Sequence, residues 1–392
     1  MQFDLPEETL MIRDTVRQFV AKELLPLEAE FDFEESNLPD DRRADLRKKV
    51  DDIGLGGMFI PEEYGGAPDI GHVARTVVQE ETSATLVGHG AFGRPITEGL
   101  YQCNDEQKEK YLLPTLRSEK RMAFGITEPI SGSDPSMMET NAEKRGETYI
   151  INGRKTFIST AEGCDFMMLF ARIKGTEGRS GITAFLVDSD LPGFTVERQI
   201  PVIGMPSGSV TSSPSEVSFD NIEVPASNVL GEEGYGWRVL QGSLGGIRLG
   251  FGARCLALAT RCLRMARDYS VRRVTFGRPI ADRQAVQIML ADSAIAIENL
   301  RWMTYHAAWK MEQGRDIRPE ISMIKVYGSE TLQMVSDNAI QIHGGLGLSR
   351  DLPLERIYRS ARTDRIVDGP NEVHRWVIAR NMTRGYWFPG GN

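Results

Sequence analysis

Met122-Ala123-Phe124-Gly125-Ile126-Thr127 breaks the texture of the chain. Before it, residues from about 7 to 120 read as helical, with Leu10, Val16, Phe19, Val20 and Leu24 recurring on one helix face. After it come short β-type runs at 149–151, 166–170, 182–187 and 217–219, divided by Gly, Pro and Ser turns. Such a series predicts a small antiparallel β domain, sandwich or barrel. Residues 203–215 are rich in Gly, Ser and Pro and read as an exposed loop. Helical patterns then return in long pieces near 236–270, 282–312, 318–342 and 371–384, as a C-terminal four-helix bundle requires. Gly54-Leu55-Gly56-Gly57 lacks a surrounding strand and helix, so it reads as a loop and not a dinucleotide fingerprint. Ile60-Pro61-Glu62-Glu63-Tyr64-Gly65-Gly66 continues that loop, and charged helix returns at 104–110. The expected fold is α+β and multidomain: an N-terminal α domain over 1–121, a middle β domain over 122–233 and a C-terminal α domain over 234–392. A ligand is expected where such parts meet.

Composition narrows the function. The 392 residues are 41% hydrophobic and 26% charged, ordinary for a soluble globular protein. A net charge of −9, with no dense basic tract, argues against nucleic-acid binding. No apolar run reaches membrane-spanning length. The acidic start, Met1-Gln2-Phe3-Asp4-Leu5-Pro6-Glu7-Glu8, carries no signal or transit pattern, so a cytoplasmic location is expected. Cys103, Cys164, Cys255 and Cys262 are scattered and suit reduced thiols. The five histidines form no metal-spaced pair, and no metal site is expected.

One later stretch combines a carboxylate with a turn: Arg365-Ile366-Val367-Asp368-Gly369-Pro370-Asn371-Glu372-Val373-His374. Gly369 lets the backbone bend, and Pro370 suits the first turn of a helix. Val373, Trp376 and Val377 follow at helical spacing and are expected to face inward. The turn can hold Asp368 against a pocket, beside a helix N-terminus that favours anions.

Six stretches resemble the acyl-CoA dehydrogenase family, in its order and nearly end to end. They are Ile60 to Gly66; Gly125-Ile126-Thr127-Glu128-Pro129 with Gly132-Ser133-Asp134; Ile151-Asn152-Gly153-Arg154-Lys155; Arg273-Val274-Thr275-Phe276-Gly277 with Gln284; Gln341-Ile342-His343-Gly344-Gly345; and the Asp368 turn. The resemblance implies a homotetramer or homodimer, each subunit holding one FAD between its β domain and its C-terminal bundle. Residue by residue, it implies that Phe124, Ile126, Thr127 and Ser133 line the isoalloxazine and the acyl-CoA entrance. Phe157, Ile158 and Ser159 would cover the other flavin edge, where the family commonly has Trp at Phe157 and Thr at Ser159. Arg273, Thr275, Phe276 and Gln284 would reach the FAD of a neighbouring subunit. Gln341, Gly344 and Gly345 would run along its adenosine and phosphate end, and Glu372 would touch the flavin. Glycines permit close backbone approach and arginine answers phosphate charge.

The implied reaction is α,β-dehydrogenation of an acyl-CoA thioester, with a hydride passing to flavin N5 and electrons leaving to an electron-transferring flavoprotein. A carbon acid of this kind needs a positioned carboxylate and stabilisation of the developing enolate oxygen. The family base is usually a glutamate where this chain has Asp368; at the alternative family position stands Ile247, which cannot act as a base. Glu372 is the other nearby carboxylate. Aspartate is shorter by one C–C bond, ~1.5 Å. The substitution leaves three readings: a shifted backbone that keeps Asp368 as the base, a pocket reshaped for a polar or 4-substituted acyl chain, or a nitroalkane-oxidase-like oxidase of the same fold. A subgroup similar at Asp368 to His374 is linked to 4-hydroxy or 4-phosphorylated acyl-CoAs. Arg94 lies where family members approach the acyl tail and could bind such an anion, or be a surface arginine. Arg248 matches a position near CoA, and Ser133 one near the pantetheine. Gly245 replaces the aspartate usual for the pantetheine. A non-catalytic flavoprotein scaffold is the rival of another class.

Overall fold

A computed structural model describes residues 4–30, 38–87, 92, 98–204, 213–243 and 245–389, with the backbone alone described at 40 and 245–247. In chain order the helices of the first part are α1 (Glu7–Phe19), α2 (Leu25–Glu30), α3 (Asp40–Asp52), α4 (Gly71–Thr82), α5 (Asp105–Gln107) and α6 (Leu113–Leu116). The strands that follow are β1 (Met122–Gly125), β2 (Asn141–Arg145), β3 (Thr148–Ile158), β4 (Phe166–Ile173), β5 (Ile182–Asp188), β6 (Phe194–Gln199), β7 (Ser215–Pro225) and β8 (Val229–Leu230). The last part holds α7 (Gly236–Ser243), α8 (Gly245–Arg272), a small hairpin of β9 (Val274–Thr275) and β10 (Arg278–Pro279), α9 (Gln284–Glu312), α10 (Arg318–His343), α11 (Leu354–Thr363) and α12 (Asn371–Thr383). The order is helical, then β, then helical, as the sequence predicts.

Backbone packing gathers the chain into two compact units, one of Met1–Phe31, Leu38–Arg94 and Ile247–Asn392, the other of Asp32–Asn37 and Pro95–Gly246. The first is helical. Val16, Phe19, Val20 and Leu24 are buried along α1 and the π-helical turn after it, on the face their spacing predicts. Leu256, Leu300, Ile324, Leu332, Val335, Leu354 and Ile357 form the shared core of α8 to α11. Each such side chain contributes about 1.5–3 kcal/mol on burial. Polar ties fix the outer helices: Arg261 pairs with Glu28 at 2.6 Å, and Tyr305 Oη donates to Glu80 at 2.7 Å. Helix α11 has no counterpart in the sequence reading, because Leu354, Ile357 and Ala361 are its only buried positions among charged neighbours.

The second unit is built on one eight-stranded sheet ordered β6-β7-β3-β2-β4-β5-β8, with β1 also on β4. It is antiparallel except for two parallel ladders, β1 with β4 and β2 with β4. Strand β3 runs well past the expected 149–151, because a bulge absorbs Asn152-Gly153 rather than ending the strand. Strand β2 escapes sequence reading since Ala142 is its one buried residue.

Candidate active site

The Asp368 turn is clamped from beneath. Asp368 adopts φ +55°, uncommon for a residue with a Cβ. Its backbone carbonyl accepts from Arg248 Nη2 at 3.1 Å and faces His374 Nε2 at 3.2 Å. Gly369 follows at φ +96°, where a Cβ would lie 3.1 Å from His374 Nε2, so the site requires glycine twice over. Buried Lys325 on α10 donates to the Asp364 carbonyl at 2.6 Å and to Asn371 Oδ1 at 3.2 Å, joining the two ends of the turn. Asn371 also accepts from Ser329 Oγ and donates to Glu330. Arg254 pairs with the Asp364 carboxylate. By contrast, the Asp368 carboxylate is exposed and makes no hydrogen bond or ion pair among the described residues.

Burial sets the charges of this cluster. It pushes the Lys325 ammonium down to about 8, against the pull of Asp364 and Asp368. It also lowers His374 to about 4, helped by the positive charges of Arg248 and Lys325. Arg248 is lowered by burial despite the nearby Asp368, and its Nε has no hydrogen-bond partner among the described residues.

Helix α12 departs from expectation. Pro370 is its N-cap, and the helix begins at Asn371. The inward face is Asn371 and His374, not Val373, Trp376 and Val377: Trp376 is 55% exposed under the Arg380 guanidinium. The polar pair wins the interior because α10 offers it hydrogen-bond partners, which outweighs apolar periodicity. Glu372 is exposed in the first turn. Ile247 lies on α8 after Gly245, with side chain outside the described residues, as is the whole of Arg94.

In the sheet unit, a second bulge of β3 between Lys155 and Ile158 holds Phe157 at φ +57°. The bulge turns this aromatic ring out of the pleat, leaving it 57% exposed. Ser159 and Ser133 are exposed, and Phe124, Ile126 and Thr127 half-buried. Ile158 points the other way, into the β core, so only its backbone is open to a ligand. Beneath these segments lies a fully buried ion pair. Lys155 Nζ donates to Glu128 Oε1 at 2.7 Å and to the Ile126 carbonyl at 3.1 Å. Glu128 also accepts from the Glu139 and Thr140 amides, and Thr156 N–H donates to the Thr127 carbonyl. Burial lowers the Lys155 ammonium, while Lys155 and the amides outweigh burial to lower Glu128.

The remaining predicted residues lie on termini and turns. Phe276 and Gly277, at φ +49° and +79°, close the β9–β10 hairpin, leaving Phe276 97% exposed. Arg273 and Gln284 are exposed at its two ends, and Thr275 is half-buried. Gln341 is exposed near the end of α10. Gly344, at φ +61°, and Gly345 both have open space where a Cβ would project.

Against known proteins, residues 6–119, 123–222 and 234–383 match the N-terminal, middle and C-terminal domains of acyl-CoA dehydrogenase respectively. The chain belongs to the acyl-CoA dehydrogenase family. It is thus placed among oxidoreductases acting on acyl-CoA thioesters. The (R)-benzylsuccinyl-CoA dehydrogenase of Thauera aromatica is 37% identical over 97% of this chain and 97% of its own. An acyl-CoA dehydrogenase of Bacillus subtilis (strain 168) is also 37% identical, over 97% of this chain and 99% of its own. Among solved structures, butyryl-CoA dehydrogenase from Megasphaera elsdenii superposes with a TM-score of 0.86 at 32% identity, covering 98% of this chain and all of that one. PigA, solved with FAD and proline, gives 0.85 at 25% identity, over 98% of this chain and 99% of its own. Family members depend on FAD. The open glycine cradle at Gly344 and Gly345 and the exposed aromatic rings suit a flavin nucleotide.

The residues that sequence reading missed are supports: Lys155, Glu128, Ser322, Lys325, Asn371 and His374. Lys155, Glu128, Asn371 and His374 stand inside quoted motifs, but only the fold shows what they hold. Ser322 and Lys325 lie in an ordinary helical pattern with nothing to mark them.

Proposed function

We propose that this chain is an FAD-dependent acyl-CoA dehydrogenase in which the Asp368 carboxylate removes the α proton. The observation that carries the reading is the Asp368 turn: a clamped backbone presenting a carboxylate that is unpaired among the described residues. A general base needs that combination, since a proton acceptor must be fixed in place and not already engaged. FAD, when bound, supplies the hydride acceptor. This chain's own residues would bind and aim. Phe124, Ile126, Thr127, Phe157, Ser159 and the Ile158 backbone would border the flavin, with Ser133 toward the substrate. Gln341, Gly344 and Gly345 would follow the nucleotide, and Glu372 would touch the flavin ring. Arg273, Thr275, Phe276 and Gln284 would extend to a second copy in a homotetramer. Arg248 would place positive charge beside Asp368 and the CoA ester. An electron-transferring flavoprotein would take the electrons. The Asp-Gly-Pro-Asn-Glu-Val-His signature supports a polar or 4-substituted acyl chain as substrate.

The test is anaerobic mixing of purified holoenzyme with straight, branched, 4-hydroxy and 4-phosphoryloxy acyl-CoAs while the visible flavin band is followed. Bleaching by one class is expected. Asp368→Asn should retain FAD yet slow bleaching by about 10²–10⁴-fold, the usual contribution of a general base. A mutant as fast as wild type would exclude Asp368. Oxygen uptake with nitroalkanes, and no acyl-CoA bleaching, would turn the assignment to an oxidase.

A further inference from the structure

His374 is a buried residue with both ring nitrogens engaged. Its Nε2 lies 3.2 Å from the Asp368 carbonyl oxygen, and its Nδ1 3.2 Å from Ser322 Oγ on α10. A carbonyl oxygen can only accept, so Nε2 carries the hydrogen. In the neutral ring Nδ1 is then an acceptor, and the Ser322 hydroxyl donates a hydrogen bond to it. The chain of bonds runs in one direction, from Ser322 to His374 to Asp368. The neutral ring agrees with its burial and with the cations facing it, Arg248 from α8 and Lys325 from α10; what Asp368 presents to the ring is its backbone carbonyl.

The bond acts on the backbone of the proposed base. Asp368 is held at φ +55°, a region that residues with a Cβ leave unless the surroundings hold them. The peptide plane between Asp368 and Gly369 is gripped at its oxygen by two donors, Arg248 and His374. Arg248 reaches it at the end of a long side chain. His374 does so with a rigid ring, itself packed against Gly369. We propose that His374, its ring held at Nδ1 by the Ser322 hydroxyl, is a positioning residue that aims the Asp368 carboxylate. Losing the ring donor frees the peptide plane to turn, and Cβ of Asp368 swings with it. A displacement of about 1 Å at the reacting atoms is worth roughly a hundredfold in rate.

The inference rests on Asp368 being the base, and its test separates the two. Glutamine places its amide nitrogen where Nε2 of the imidazole lies, whereas asparagine reaches only the Nδ1 position. Holoenzyme carrying His374→Gln should be bleached by the fastest acyl-CoA of the panel within about threefold of wild type. His374→Asn should be slower by about 10–100-fold, with the substrate concentration at half saturation unchanged. Ser322→Ala, which leaves the ring but removes its hydrogen bond at Nδ1, should fall between them. It decides the matter if His374→Asn fails to fold. Asp368→Asn runs alongside. Equal rates for His374→Gln and His374→Asn, or a Ser322→Ala rate equal to wild type, overturn the positioning role while a slow Asp368→Asn keeps the base. A fast Asp368→Asn, or no bleaching by any acyl-CoA, removes the base and the inference with it.

Discussion

At the scale of single residues, the proposed base Asp368 is one C–C bond shorter than the glutamate usual at that position in the family. Its reach is fixed by the φ +55° turn and by the grip on its carbonyl. Asp368→Glu pushes the carboxylate about 1.5 Å further without moving that backbone. Flavin bleaching should therefore slow by roughly tenfold or more, measured by stopped flow with the best acyl-CoA. His374 carries a pH signature. Its pKa falls from the ordinary histidine value to about 4 in the folded chain, mainly by burial. Between those values the unfolded chain binds the proton and the folded chain resists it, so this contribution to stability is present above the ordinary pKa and lost as pH falls toward 4. His374→Gln should flatten the pH dependence of the melting temperature across that window. A slope identical to wild type would show that His374 titrates alike in both states.

At the scale of elements, strand β3 and its bulge present Phe157 while the Lys155–Glu128 pair holds the adjoining backbone. The pair is wholly enclosed, so removing one partner strands a charge. Lys155→Met should destabilise the fold by about 3–5 kcal/mol in a urea titration, and adding Glu128→Leu should recover most of that loss. Phe157→Ala is expected to behave differently. Being exposed, it should shift stability by no more than about 0.5 kcal/mol while lowering the FAD retained on purification. A variant that kept full FAD would remove Phe157 from the proposed flavin contacts.

On the scale of the whole molecule, α9 leaves Ile288, Ile295, Trp302 and Trp309 exposed at intervals of seven residues. A seven-residue apolar spacing makes a nearly straight stripe along a helix, the pattern by which helices pack lengthwise on one another. The stripe supports the proposed homotetramer, because monomers rarely expose such a run. Ile288→Glu with Ile295→Glu should reduce the particle mass in light scattering after size-exclusion chromatography. A monomeric wild-type protein would remove the assembly from the proposal.

The sequence alone determined the class and order of the parts. Helical spacing placed Val16, Phe19, Val20 and Leu24 inward, and the continuous β-type runs at 166–170 and 182–187 became fully buried strands, because burial there follows the local apolar pattern. Motif order likewise marked Asp368 and its glycine. Only the tertiary structure decided which face of α12 is buried, since Asn371 and His374 go inside for partners on α10 that lie far away in sequence. The same holds for β2, β6 and α11, whose few apolar residues become legible once neighbouring elements cover them. Periodicity records where one segment is apolar. Hydrogen bonding between distant segments leaves no local pattern, and the supports of the candidate site are of that kind.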